Sequence, residues 1–310
     1  MQDLIERAQM LAEALPYIRR FRGNTFVIKY GGHAMLDPQL RESFAQDVVL
    51  LEAVGIKPVV VHGGGPQINQ LIDKLGLKSR FVRGMRVTDE ATMEAVEMVL
   101  QKLNKEITAL ISRQGGRAVG ISGKDGDFLV AHKLLIKDES GKSAPVDIGL
   151  VGEVAEVNPA VLITLQDAGF IPVIAPVGHG RDGQTYNINA DIAAGQIAAA
   201  IKAAKLILLT DVEGVKDEGG RLLSVLEAPR AKKMIASGSI SEGMIPKVEC
   251  CIEALGAGVG AAHVIDGRVR HALLLEVFTD AGVGTEVVNR AARAPRSRKN
   301  RETDSRALVR

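Results

Sequence analysis

The sequence predicts an α/β fold with a mainly parallel central sheet sandwiched by helices. Apolar runs at 25–30, 57–62, 171–175 and 205–210 alternate with segments of helical periodicity, and strands separated by helices bury both faces of a parallel sheet. Glycine is abundant, at 33 residues, while aromatics make up only 3% of the chain and tryptophan is missing. That composition suits tight turns between strands and helices better than surfaces that stack sugars or bases. At 310 residues, 46% of them apolar and 25% charged, the chain can build a sizeable core in one large domain or two ordinary ones.

The chain opens with a predicted helical arm, residues 1–22. Leu4, Ala8, Leu11, Leu15 and Ile18 form a narrow apolar seam at steps of four and three. Pro16 falls inside the seam and predicts a kink, because its ring removes a donor and crowds the preceding turn. The seam fits a helix lying on its own domain, and it fits an oligomerisation arm equally.

TFVIKY (25–30) reads as a buried strand, followed by Gly31–Gly32 and a helix over about 38–54. KPVVVH (57–62) is a second strand, after which Gly63–Gly64–Gly65 and Pro66 open a helix with Ile68, Leu71, Ile72 and Leu75 on one face. Gly76 lies just past its end, and proline early with glycine late is the usual asymmetry of helix termini. Thr88, ahead of Asp89 and Glu90, is the predicted cap of a long helix in which Met93, Val96, Leu100, Leu103, Ile107 and Leu110 recur every three or four residues. Residues 117–155 hold short strands and turn residues (GISGKDGD, DESGKSAP), which predict hairpins. A helix near 159–168, a strand at 171–175, a helix at 190–203 and the strand KLILLT (205–210) follow. Helices around 229–236 and 243–256 precede a strand HVI (263–265). The predicted organisation is two lobes, 23–200 and 201–288, with an Arg/Ser/Pro-rich disordered tail over 289–310.

The tail also makes the charge balance. Residues 290–310 hold eight Lys/Arg against two acids, while the remainder of the chain is net acidic, so no general nucleic-acid surface is expected. Cys250 and Cys251 are neighbours, poorly placed to bridge each other, and fit a reducing cytoplasm. No apolar stretch reaches the length of a membrane span, and the first ten residues carry acids where a signal peptide needs basic and apolar stretches. Neither membrane insertion nor secretion is expected.

Three glycine clusters, Gly31–Gly32, Gly63–Gly64–Gly65 and Gly178/Gly180, are expected directly after apolar strands, at the edge where open α/β sheets bind ligands. The middle run enters a helix, so its free N–H groups and the positive end of the dipole would meet an anion; a tight turn with no ligand is the alternative. P-loop spacing is missing. Gly123–Lys124 is followed by Asp125, and Gly141–Lys142–Ser143 lacks the first glycine. Gly256, Gly258 and Gly260 follow a helix rather than a strand, unlike a dinucleotide fingerprint.

Lys29 ends an otherwise apolar strand, a place where lysine needs a partner. Lys247 stands at a helix start, where the dipole disfavours a cation; it is a functional group or a solvated surface lysine. In YNINAD (186–191), Asn187, Asn189 and Asp191 share one side if the segment is extended, and helix capping by Asn189 or Asp191 competes with that reading. His33, His62, His132, His179, His263 and His271 lack metal-ligand spacing. There is no Ser/His/Asp set, paired-cysteine motif or GxSxG elbow.

KYGGHAM (29–35), VVVHGGGPQIN (59–69), GMRVT (84–88), YNINAD (186–191), LLTDVEGV (208–215) and GMIPKVE (243–249) together resemble the amino acid kinase family, and within it the N-acetyl-L-glutamate kinases. The resemblance covers about 25–288. The arm and the segment AHVIDGRVRHALLLEVFTDAGVGTE (262–286) also resemble the arginine-inhibited, hexameric branch of those kinases.

The resemblance implies phosphoryl transfer from ATP, with Mg2+, to the side-chain carboxylate of N-acetyl-L-glutamate in cytoplasmic arginine biosynthesis. The lobe 23–200 would bind acetylglutamate and 201–288 the nucleotide. Lys29 would contact the transferring phosphoryl group, Lys247 the leaving side, and Asp191 would hold both ammonium groups. Amides at Gly31, Gly32 and Gly64 would bind phosphate. Gly64, Gly65, Arg86, Asn187 and Asn189 would bind or orient the acceptor, while Thr210 and Asp211 border the nucleotide. Mg2+ would be held mostly by phosphates and water, with no protein ligand named.

L-arginine would bind beside the arm, near Tyr17, Lys205, His263, Glu276 and Gly282, in a homohexamer built as a trimer of dimers. Binding of a PII-type signalling protein stays open. The implied chemistry is physically coherent. A carboxylate with an ordinary pKa of about 4 is ionised at neutral pH and needs no general base. The obstacle is repulsion between anions, roughly 4 kcal/mol per unit pair at 4 Å and an effective dielectric of 20.

Carbamate kinases, aspartokinases, glutamate 5-kinases and UMP kinases share the glycine loops, but the GMRVT arginine and YNINAD favour an acylated amino acid with a free α-carboxylate. N-acetylglutamate synthases add an acetyltransferase domain, for which the residues after 288 are too few. A silent arginine sensor on this fold is disfavoured by Lys29, Asp191 and Lys247. A dinucleotide-dependent oxidoreductase is disfavoured because no fingerprint follows the first strand.

Overall fold

A computed structural model of the chain describes residues 1–82, 84–136, 145–241, 243–280 and 282–289, with the backbone alone at Gln2, Asp3, Arg7 and Met10. Most of the predicted turn DESGKSAP and the basic tail from 290 lie outside the described residues. The chain runs through α1 (Gln2–Phe21), β1 (Thr25–Tyr30), α2 (Pro38–Ala53), β2 (Lys57–His62), α3 (Gly65–Lys74), β3 (Phe81–Val82), β4 (Met85–Arg86), α4 (Glu90–Arg113) and β5 (Ala118–Ser122). It continues with β6 (Leu129–Ile136), β7 (Val146–Val157), α5 (Ala160–Asp167), β8 (Ile171–Ala175), β9 (Val177–His179), β10 (Thr185–Ile188) and α6 (Ala190–Ala200). The C-terminal part holds β11 (Lys205–Thr210), β12 (Val225–Glu227), α7 (Ala228–Ala236), α8 (Ile245–Gly256), β13 (Ala262–Asp266), α9 (Ala272–Phe278) and β14 (Gly284–Val288).

Eight strands form one sheet in the order β12-β14-β13-β11-β1-β2-β8-β5. Only the β13–β14 pair is antiparallel, so the mainly parallel sheet is as expected. The sheet crosses residue 200 without a break, because β11 pairs with β1. Alternation along the strands sends side chains to opposite faces. Val27, Val59, Val61, Leu206 and Leu208 pack with Ala194 and Ile197 of α6 and Val248 of α8. Phe26, Ile28, Tyr30, Val60 and Ile207 pack instead with α2, α4 and α9, through Phe44, Ile107 and Leu273 among others. Lys29 shares the parity of Val27 and therefore emerges on the α6/α8 face.

Several expectations need correction. Asp89, not Thr88, caps α4, accepting a hydrogen bond from the Thr92 N–H at 2.8 Å; the Thr88 hydroxyl is committed to the Arg86 carbonyl at 2.9 Å. β5 is not part of a hairpin. The 24-residue α4 carries the chain back along the sheet, so β5 pairs parallel with β8. β6 and β7 do pair antiparallel, and with β9 and β10 they close a small barrel. Gly178 lies on β9 of that barrel and Gly180 in the turn just after it, rather than at the sheet edge; a Cβ at Gly178 would crowd Ile188 and Leu129, so close packing explains that glycine.

α1 runs through Pro16 as one helix. Its last turn packs on the domain, with Phe21 edge-on to Phe26 at 5.2 Å, while Leu4, Leu11 and Leu15 are exposed. Among the described residues, no helix is long and apolar enough to cross a membrane.

Candidate active site

Two buried ionic groups, Lys29 and Asp191, and the half-buried Lys247 meet at the carboxyl end of the sheet. Lys29 comes from the end of β1. Asp191 comes from the first turn of α6, where Asn189 is the N-cap and its side-chain oxygen accepts from the Asp191 and Ile192 N–H groups at 2.8 and 3.3 Å. The capping reading of Asn189 therefore holds; β10 ends at Ile188, Asn189 is still extended, and Asp191 is already helical. Lys247 comes from the first turn of α8. Its Nζ lies 2.5 Å from Asp191 Oδ2, and Lys29 Nζ lies 3.1 Å from Oδ1.

Burial alone would push the Asp191 carboxyl up. The two ammonium groups outweigh it and hold the pKa at about 2. Asp191 is thus ionised at neutral pH and unsuited to take a proton there. The trio carries a net positive charge in a poorly solvated setting, where an incoming anion is attracted more strongly than in water.

The glycine loops after β1 and β2 touch beside this trio. A Cβ at Gly31 would sit 2.8 Å from Lys29 Nζ, and one at Gly63 would sit 3.9 Å from the Gly31 Cα. The Gly63 N–H donates to the Tyr30 carbonyl at 2.8 Å. Gly32 is left-handed, with φ of +71°, and the Asp211 carboxylate lies against it, leaving no room for a side chain. That carboxylate accepts from the His33 N–H at 2.7 Å and pairs with His33 Nδ1 at 3.3 Å. Asp211 therefore ties the end of β11 to the loop after β1, a contact the sequence did not announce. Thr210 is buried at the last position of β11, and its carbonyl accepts from the Gly267 N–H at 2.8 Å.

A second group assembles around the start of α3. Gly64 is its N-cap and Gly65 its first residue; Asn69, one turn on, faces the same way. Arg86 on β4 is buried, with Nη2 donating to Asn69 Oδ1 at 2.7 Å and Nη1 donating to the Ser79 hydroxyl. Its guanidinium lies 4.7 Å from the centre of the Phe81 ring. Thr88 joins Arg86 to Asn187: its hydroxyl donates to the Arg86 carbonyl and accepts from Asn187 Nδ2 at 3.3 Å. Arg86 is thus linked to the helix that Gly64 and Gly65 open through Asn69, and to Asn187 through Thr88. Asn69, Ser79 and Thr88 were missed. Asn69 could have been found from its spacing to Gly65; the Ser79 contact depends on the short antiparallel pair β3–β4, which the sequence reading did not place.

The residues expected to bind an effector cluster elsewhere. Lys205 Nζ lies 2.8 Å from His263 Nε2, and His263 Nδ1 lies 2.8 Å from Glu276 Oε1. Glu276 Oε2 accepts from the Val283 N–H at 2.9 Å, beside Gly282, whose φ is +61°. Tyr17 on α1 reaches the same corner by donating to Asp280 Oδ1 at 2.6 Å. Burial draws the Lys205 and His263 pKa values down. It would raise that of Glu276, but the bonds from His263 and Val283 and the Lys205 charge hold the carboxyl below its usual range. Lys205 and Thr210 are the first and last residues of β11, so this cluster sits at the opposite edge of the sheet from the Lys29 trio.

The sequence profile of the amino acid kinase family matches residues 24–266. An acetylglutamate kinase from Geobacter sp. (strain M21) is 60% identical over 290 residues, which is 93% of this chain and 99% of that protein. One from Syntrophobacter fumaroxidans is 58% identical, over 92% of this chain and 97% of that protein. Among solved structures, the N-acetylglutamate synthase of Neisseria gonorrhoeae complexed with coenzyme A and N-acetyl-glutamate superposes with a TM-score of 0.80 at 28% identity. The match covers 92% of this chain but 64% of the synthase, so this chain spans less than two thirds of that protein. A carbamate kinase from Giardia lamblia bound to AMP-PNP shares the fold, with a TM-score of 0.63 at 17% identity over 86% of this chain and 99% of that one.

Proposed function

This chain belongs to the amino acid kinase family, and from that premise we propose that it is an ATP-dependent acetylglutamate kinase. It transfers the terminal phosphoryl group of ATP to the side-chain carboxylate of N-acetyl-L-glutamate, giving N-acetyl-L-glutamyl 5-phosphate for arginine biosynthesis in the cytoplasm. The observation that carries this reading is the pair of ammonium groups, Lys29 and Lys247, held on one buried carboxylate beside two glycine loops.

The acceptor carboxylate is ionised at neutral pH and attacks the phosphorus directly, so no side chain has to remove a proton. Catalysis is then a matter of placing anions together and stabilising the charge spread over the phosphoryl oxygens. Lys29 meets the phosphoryl group in flight, with amides of Gly31, Gly32 and Gly64. Lys247 neutralises charge on the departing ADP. Asp191 keeps the ammonium groups side by side, and Asn189 acts through the cap that fixes Asp191. Arg86, steadied by Asn69 and Ser79, takes the α-carboxylate in a bidentate fork; Asn187 and Gly65 complete the acceptor side. Thr210 and Asp211 border the nucleotide.

Mg2+ would enter with ATP and neutralise phosphate charge, held by phosphate oxygens and water. Among the described residues, no three His, Cys, Asp or Glu side chains are grouped to hold a metal ion, and the Asp191 carboxylate is already taken by the two lysines.

Residues 23–200 carry the acceptor side and 201–288 the nucleotide side. L-arginine acts as feedback inhibitor at the Lys205–His263–Glu276 corner, where Glu276 offers the guanidinium a carboxylate. The exposed seam Leu4, Leu11 and Leu15 of α1 serves as the arm of a homohexamer, a trimer of dimers.

Acyl-phosphate trapping with hydroxylamine tests the function. N-acetyl-L-glutamate should yield hydroxamate in the presence of ATP and Mg2+, well above L-glutamate, L-aspartate or carbamate. Equal yield from unacylated glutamate, or none above background, would contradict it.

A further inference from the structure

The loop that offers the Gly64 amide is gripped by a residue with no part in the chemistry above. His62 ends β2 and is fully buried. It shares the parity of Val60, so it faces α4, on the side of the sheet opposite Lys29. Its Nδ1 lies 2.8 Å from the Gly63 carbonyl oxygen, and its Nε2 lies 3.3 Å from Asn104 Nδ2. Asn104, also fully buried, donates from the same nitrogen to the Val173 carbonyl at 2.8 Å and the Ile121 carbonyl at 3.3 Å. Those bonds assign the amide orientation, because the flipped amide would set its oxygen against two carbonyl oxygens.

The Gly63 carbonyl oxygen can only accept, so Nδ1 of His62 carries the proton and donates to it. Nε2 is then the unprotonated nitrogen, facing the Asn104 amide, whose two hydrogens are shared among Val173, Ile121 and His62. Burial keeps the ring neutral, with its pKa drawn down to about 4. Pinning the Gly63 carbonyl sets the whole peptide plane. C=O and N–H point opposite ways across a planar trans peptide, so a Gly63 carbonyl drawn toward α4 turns the Gly64 N–H away from α4, toward the Lys29 side. The same helix presses on the loop, since a Cβ at Gly64 would sit 2.9 Å from both Leu100 and Leu103. Among the described residues, no protein group accepts from the Gly64 N–H.

We infer that His62, braced by Asn104, is a positioning residue that aims the Gly64 amide at the phosphoryl group being transferred. This rests on the phosphoryl-transfer function proposed above. Three substitutions test it. In His62→Asn the amide nitrogen falls near the place of Nδ1 and can still donate to Gly63; in His62→Gln it falls near Nε2; in His62→Phe the ring remains with no donor.

In the hydroxamate assay, His62→Phe and His62→Gln should lower kcat ~10–100-fold, the scale of a mis-aimed oxyanion donor. KM for ATP and for N-acetyl-L-glutamate should stay within about threefold, and His62→Asn should recover most of kcat. Far-ultraviolet circular dichroism selects the variants that fold, and the Asn/Gln comparison decides even if Phe does not. Folded His62→Gln with kcat near wild type, or His62→Asn no better than His62→Gln, would overturn the inference while leaving the kinase function standing. A wild-type chain that forms no hydroxamate would overturn both.

Discussion

Lys29 on β1 and Lys247 on α8 are held together through opposite oxygens of one carboxylate, Asp191, at 3.1 and 2.5 Å. Two ammonium groups this close would repel each other without the anion between them. With it, they form a preorganised cationic site, which in the proposed reaction meets phosphate charge without rearrangement.

Removing either end of that arrangement should act on turnover rather than on binding alone. Lys247→Ala and Asp191→Asn are each expected to lower kcat by ~100-fold or more. Steady-state kinetics with both substrates saturating would check it; a change of less than threefold in either variant would speak against the shared-carboxylate mechanism.

The ionisation of Asp191 also has a stability signature. Its folded pKa of about 2 lies below the unfolded value near 3.9, so the unfolded chain binds the extra proton. The stability this supplies is fully present above about pH 4 and is lost as pH falls through about 2, a contribution of roughly 2–3 kcal/mol. In urea unfolding, the gap between wild type and Asp191→Asn should be widest at neutral pH and shrink toward pH 2.

Gly31 should tolerate no side chain in the working enzyme. A Cβ there would sit 2.8 Å from Lys29 Nζ, and the flexible ammonium would yield before the fold does. Gly31→Ala is expected to keep its unfolding midpoint within a few degrees while losing ~10-fold or more of kcat. Retention of full kcat would mean that the ammonium position is unimportant.

Arg86→Ala should raise KM for N-acetyl-L-glutamate by ~10–100-fold, the scale of a lost charged hydrogen bond, with KM for ATP little changed. Asn69→Ala should shift the same constant in the same direction by less, because it holds the guanidinium rather than the substrate.

Glu276→Gln should abolish arginine inhibition without changing uninhibited kcat, as its carboxylate lies at the far edge of the sheet. Deleting residues 1–20 should turn a hexamer into dimers by light scattering and weaken arginine inhibition; an unchanged mass would refute the role of the arm.

What could be read in advance follows from how each element is stabilised. TFVIKY, KPVVVH and KLILLT were legible because strands buried on both faces are continuously apolar. β12 and β14 were not: β12 is three residues long and exposes Val225, and β14 is an edge-side strand defined by its antiparallel partner β13. α9 escaped because its start is His271 in a left-handed conformation, with no capping side chain to mark it. Lys29 stood out as a charge stranded in an apolar run. The contacts of Asp211 with His33 and of His62 with Asn104 join distant segments, and no local pattern encodes them.

The most direct test is a single turnover of Lys29→Ala with both substrates saturating, following acyl-phosphate formation by hydroxylamine trapping. The expected result is a fall of ~1,000-fold in rate with N-acetyl-L-glutamate still bound. A rate within threefold of wild type would contradict the account, because the ammonium beside the glycine loops would then have no part in bringing the two anions together.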